Sequence, residues 1–139
     1  MNSYELIDHT ADIGIKVRGK TLKDLFVNAA KAMFDIMMEK RKGTRMGNAK
    51  KVRVHVEAGS LEEIFVRWLS ELLSLSDWKD VVFTKFMISE LSPQRLEAAI
   101  EDFPRKFFES QREIKAVTHH ALKIVKEARG YSASVIFDV

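Results

Sequence analysis

Two carboxylates and a histidine stand within five residues in "DHTAD" (Asp8, His9 and Asp12), and Asp138 stands one residue before the last, Val139. Aspartates beside a turn commonly accept a local backbone N–H two residues on. Asp138 is harder to explain that way. It ends the run "SASVIFDV", whose Val135, Ile136 and Phe137 are core-like. Period-two alternation places it on the face of Ile136 and Ser134, opposite Val135 and Phe137. A carboxylate at a strand end near a core needs a partner, solvent or a bound cation. The strand pattern runs to Val139, which adds a terminal carboxylate. If Asp12, Asp138 and that terminus meet, three like charges repel by several kcal/mol at an intermediate dielectric. Protonation or a cation relieves this, and all-oxygen donors favour Ca²⁺, Mg²⁺ or Mn²⁺ over zinc or copper. Residue types alone leave both readings open.

The other polar motifs are plainer. His55 alternates with valines and is expected to face solvent or an interface. His119 and His120 are adjacent on a strand pattern, so the pleat directs them to opposite faces. No Ser–His–Asp order, nucleophile–base pair or glycine-rich phosphate loop is present. Residues 40–51, "KRKGTRMGNAKK", hold six basic residues and no acid. They suit phosphate or plain solvation, without the interleaved aromatics that stack bases. Residues 103–112, "FPRKFFESQR", pair three phenylalanines with Arg105, Lys106 and Arg112. They suit a protein interface, or rings packed on a sheet.

The elements that must position these groups follow from periodicity. Residues 4–18 read as two short strands around a tight turn, Ile13, Ile15 and Val17 alternating with polar residues and glycine. A helix is expected over about 21–39, with Thr21 as N-cap. After the basic loop come a strand at 52–57 and a second helix over about 60–76. "SLEE" is a capping-box signature at its start. Strand patterns then cover 81–90, 94–102, 113–119, 121–128 and 132–138, with turns at 91–94 and 128–131. The expected fold is α+β: two helices packed on a mixed or antiparallel β-sheet, in a single compact domain over residues 1–139.

Bulk properties narrow the classes. The chain has 139 residues, no cysteine, 23 basic and 20 acidic residues and a net charge of +3. Lack of cysteine excludes zinc–thiolate sites, disulfides and cysteine nucleophiles. The mild charge permits an acidic partner without demanding one. High charge (31%) with two prolines and six glycines is compatible with a thermophilic source. No run approaches the roughly 20 apolar residues of a membrane span. Residues 1–20 lack the continuous apolar core of a secretory leader, so a cytoplasmic location without membrane is expected.

"YELIDHTADIGIKVRGKTLKDLFVNAAKAMFDIM" resembles the amino-terminal signature of the archease family. "IKAVTHHALKIV" and "VIFDV" resemble its carboxy-terminal signature. The resemblance spans essentially the whole chain and implies an archease-type domain. It also implies an accessory protein, not an enzyme. Archeases activate the GTP-dependent tRNA-splicing RNA ligase: they promote its guanylylation and multiple turnover and broaden its nucleotide use. RNA is then an indirect partner. The resemblance further implies a divalent-metal site, calcium foremost, with magnesium or manganese as alternatives. That site maps onto Asp12, Asp138 and Val139. Asp8, His9, Lys115 and His119 are carried over as ligase-contact or site-supporting residues. Where the family often reads "TYH" this chain reads "THH", with His119 in the aromatic position. Two competing readings are an RNA-binding chaperone using residues 40–51 and 103–112, and a metal-dependent hydrolase using the carboxylates.

Overall fold

The computed structural model describes residues 3–7, 12–45, 47 and 49–139, with the main chain alone at Ala121. Its strands are β1 (Tyr4–Ile7), β2 (Asp12–Gly19), β3 (Met38–Lys40), β4 (Lys50–Glu57), β5 (Val81–Leu91), β6 (Arg95–Pro104), β7 (Phe108–Ser110), β8 (Ala116–Glu127) and β9 (Gly130–Asp138). Helix α1 (Leu22–Met37) lies between β2 and β3, and α2 (Leu61–Lys79) between β4 and β5. The α+β expectation holds, and every strand pairing is antiparallel. One sheet has the order β1-β2-β9-β8, a second β4-β6-β5, and β3 pairs with β7.

Both helices begin where the sequence places them, because caps act locally. Thr21 accepts from the Asp24 N–H at 3.1 Å and Ser60 from the Glu63 N–H at 3.2 Å. Glu63 reaches back to the Gly59 N–H at 3.4 Å, one residue before the usual capping-box donor. Helix α1 ends earlier than expected, and Met38 already starts β3. Helix α2 runs to Lys79, beyond the expected end near Ser76. Its apolar stripe stops there, but its hydrogen bonds do not. Asp80, at φ 57° and ψ 50°, closes the helix in the left-handed region. Arg105 seals this end: its Nη2 donates to the Ser76 carbonyl at 3.0 Å. Its Nε lies 3.1 Å from Asp80 Oδ1, within ion-pair distance but without hydrogen-bond alignment.

Each helix packs against both larger sheets, α1 on β2 and β5 and α2 on β8, β4 and β5. Trp68, Phe26 and Phe65 are completely buried at the centre. Phe26 meets Phe65 edge-on at 5.0 Å between centroids, and Trp68 meets Phe86 of β5 edge-on at 6.1 Å. Trp68 Nε1 donates to the Phe26 carbonyl at 3.0 Å, tying α2 to α1.

Three expectations change. Residues 103–112 are not one loop: β6 continues to Pro104, a 3₁₀ turn covers Arg105–Phe107, and β7 follows. Phe108 is buried, and Phe103 and Phe107 pack against the core, so these rings serve the fold. The strands expected at 113–119 and 121–128 are one, β8, whose ladder skips between Thr118 and Lys123. Residues 111–115 precede it outside any strand, although the buried Ile114 gave them a strand-like pattern.

His55 is exposed on β4, as alternation required, and its ring nitrogens face Glu57 and Glu97. Those two hydrogen bonds, Glu57 first, raise its pKa above 6.5. The Glu57 carboxyl is lowered chiefly by its bond to His55, and that of Glu97 by Arg95 and then His55. The histidine contribution is full below its unfolded value and lost as pH rises through the folded one. The carboxylate contribution is present above their unfolded values and lost as pH falls. His55→Ala is therefore expected to lower the urea midpoint most between these windows, at mildly acidic pH. The difference should close as pH rises through the raised histidine value and as it falls through the lowered carboxylate values. Urea titrations of both proteins from pH 3 to 9 check this, and a pH-independent difference would refute it.

Candidate functional site

The site grows from strand register. In the β2–β9 ladder Asp12 lies directly opposite Asp138, and in the β9–β8 ladder Asp138 lies opposite Ala116. Strands far apart in the sequence thus share one row. Residues directly opposite in a ladder project to the same face. Ile13, Ile15 and Val17 of β2 and Val135 and Phe137 of β9 are buried in the core. Alternation therefore puts Asp12 and Asp138 on the other face, with Gly14, Ile136 and Thr118 in the next row. Asp12 is half-buried and Asp138 exposed.

Val139 follows on the core side, where its side chain packs against the cluster. That contact holds Val139 in place. The Lys115 N–H also donates to the Asp138 carbonyl at 2.7 Å. Lys115 is exposed and lines a cleft of about 410 Å³, together with Arg105, Arg112 and Asp77.

Like charges directly opposite each other destabilise a sheet. Among the described residues neither Asp12 nor Asp138 has a cationic side chain in an ion pair. No three His, Cys, Asp or Glu side chains gather among the described residues in a group able to hold a metal. The row offers two side-chain carboxylates, with the Val139 main chain adjoining. Its donor chemistry fits a hard cation, which would relieve the repulsion with oxygen ligands alone.

The remaining candidates divide. Asp8 and His9 lie outside the described residues. His119 and His120 are both exposed and lie where the β8 ladder is interrupted, so regular alternation does not separate them. Thr118 Oγ1 donates to the Ile136 carbonyl at 3.0 Å and accepts from the His120 N–H at 3.3 Å. His119 is three residues along β8 from the Asp12–Asp138 row. Sequence reasoning missed the main-chain bond from Lys115. Nothing in residue type signals it.

The sequence profile of the Archease protein family matches residues 4–139. The chain belongs to the archease family. Protein archease of Methanosarcina barkeri is 36% identical over 98% of this chain and 95% of its own length. Protein archease of Sulfurisphaera tokodaii is 31% identical with both chains fully covered. Among solved structures, Methanobacterium thermoautotrophicum protein 1598 superposes with a TM-score of 0.76 at 30% identity, again over both whole chains. A Thermotoga maritima protein, titled an archease and possible chaperone, shares the fold with a TM-score of 0.65 at 18% identity over 96% of this chain and 94% of its own. The archease fold accounts for the two bracketing motifs: β2 and β9, which carry them, are neighbours in one sheet.

Proposed function

We propose that this archease-family chain is a non-catalytic activator of the GTP-dependent tRNA-splicing RNA ligase, working in the cytoplasm on the ligase and only indirectly on RNA. It promotes ligase guanylylation and multiple turnover and broadens nucleotide use. The observation that carries this reading is the row pairing Asp12 with Asp138 beside Val139. Asp12, Asp138 and the Val139 carboxylate would hold a divalent cation, calcium first and magnesium or manganese as alternatives. When bound, such a cation neutralises carboxylate charge and can orient phosphate oxygens. The residues themselves do the rest. Asp12 and Asp138 set the charge of the row, and the core contact of Val139 and the Lys115 main chain hold it still. Lys115 presents an exposed ammonium beside it, suited to an acidic or phosphorylated surface of the ligase. His119, and by the family motif Asp8 and His9, would extend that contact. Family membership and the absence of a nucleophile–base pair in the sequence favour a protein partner over independent catalysis. Among the described residues no helix is long and apolar enough to cross a membrane.

Multiple-turnover ligation by the cognate ligase tests the reading, run without this protein, with wild type and with Asp138→Ala verified as folded. Wild type is expected to convert a stalled reaction into many turnovers. The variant should lose on the order of tenfold or more of that stimulation. No stimulation by wild type would refute the activator reading, and full stimulation by the variant would remove the carboxylate row from it.

A further inference from the structure

A cavity of about 430 Å³ opens at the carboxy-terminal end of α2, away from the carboxylate row, lined by Lys50, Trp78, Lys79, Val81, Asp102 and Pro104. Asp102 is its unusual member. It continues the core-facing row of β6 formed by Leu96, Ala98 and Ile100, and only 7% of its surface is exposed. Among the described residues its carboxylate takes no hydrogen bond and joins no ion pair, even though Lys50 is its direct cross-strand partner. The last turn of α2 adds the negative end of a helix dipole to the same cavity. The carboxylate oxygens keep contact with the cavity, so their hydrogen-bond donors come from whatever fills it.

The rest of the lining narrows those donors. Trp78 is 81% exposed, a free indole face at the cavity mouth. Such a face stacks on a flat aromatic ring. Lys50 and Lys79 are exposed at the rim, and Lys50 belongs to the six-cation segment 40–51. They disfavour a cationic guest, which Trp78 and Asp102 alone would accept, and favour one with an anionic tail. A carboxylate only accepts hydrogen bonds. The matching ring therefore presents adjacent N–H donors on one edge. Among nucleobases guanine does so, through N1–H and the N2 amine. Adenine, cytosine and uracil each set an acceptor beside a donor.

We propose that this cavity binds a guanine nucleotide, with its base stacked on Trp78, its N1–H and N2 amine donating to Asp102, and its phosphate toward Lys50 and Lys79. The source is a free nucleotide or an unpaired guanosine in single-stranded RNA.

Titration of the whole chain with guanosine, inosine and adenosine monophosphates, and with a uridine oligomer holding one guanosine, tests this by calorimetry. Tryptophan fluorescence adds a local readout, because Trp68 is fully buried and only Trp78 meets solvent. Guanosine monophosphate is expected to bind about tenfold or more tighter than the adenosine form, with inosine, which lacks the N2 amine, between them. Asp102→Asn should bring guanosine down to the adenosine level. Trp78→Ala should weaken binding about ten- to a hundredfold at an unchanged melting temperature. If Asp102→Asn does not fold, Trp78→Ala and the order of the three nucleotides decide. Saturation by the mononucleotide identifies a free-nucleotide site, and saturation by the oligomer alone an RNA site; both uphold the proposal. Equal affinity for guanosine and adenosine, undiminished binding by Trp78→Ala, or no saturation by mononucleotide or oligomer into the millimolar range would overturn it.

Discussion

Saturating calcium is expected to raise the melting temperature of the wild-type chain by on the order of 10 °C and to leave Asp138→Asn unmoved. A ligand at a hundred times its dissociation constant stabilises the native state by about 2.7 kcal/mol, if it ignores the unfolded chain. The unfolded chain separates Asp12 from Asp138, so that condition suits this row. In chelator the comparison should change sign. Asp12 and Asp138 are directly opposite in the β2–β9 ladder, and the amide in place of the Asp138 carboxylate would remove one of two like charges. Asp138→Asn should then melt at or slightly above wild type. A merely structural Asp138 predicts the opposite, a variant less stable in both buffers. Scanning calorimetry in chelator, calcium, magnesium and manganese separates these outcomes. A wild type unmoved by all three cations would refute the metal proposal while leaving the ligase assay to judge activation independently.

Trp68→Ala is expected to abolish cooperative unfolding or to cut stability by about 3–5 kcal/mol. Trp68 is fully buried, meets Phe86 edge-on at 6.1 Å and donates to the Phe26 carbonyl at 3.0 Å. Its removal would open a cavity where α1, α2 and β5 meet. Domains have only about 5–15 kcal/mol in total, so the loss is a large fraction. Trp68→Phe should fall between, losing the N–H donor at a cost of about 1–2 kcal/mol while keeping an aromatic edge. Trp78→Ala, from the same helix, should stay within about 0.5 kcal/mol of wild type because that ring is exposed. Urea unfolding of the three variants checks the order. Equal losses for Trp68→Ala and Trp78→Ala would contradict the buried role given to Trp68.

The sequence was most legible where physics is local. Thr21 and Ser60 cap the helices from within four residues, and alternation in β2, β4 and β6 set the buried faces. The end of α2 was less legible. Its apolar stripe marks burial, whereas Asp80 and a guanidinium 29 residues away from Ser76 mark the last hydrogen bonds. Residues 103–112 looked like a loop because charge and aromatics broke the pattern, but pairing with β3 makes Phe108–Ser110 a strand. Ile114 imitated a strand residue by being buried from an irregular segment.

For the candidate site the division is the same. By itself the sequence determined the α+β class, the helix starts, the faces of the strands and the two motifs that mark the family. It also singled out Asp12, Asp138 and Val139 as chemistry in need of an explanation. Only the tertiary structure decided that Asp12 and Asp138 share one row, that Lys115 holds the Asp138 backbone, that His119 falls in an interrupted ladder, and that Asp102 and Trp78 line one cavity. Caps and alternation depend on neighbours a few residues apart. Register depends on which strands pair across the whole chain, and a slip of one residue would send every side chain to the other face.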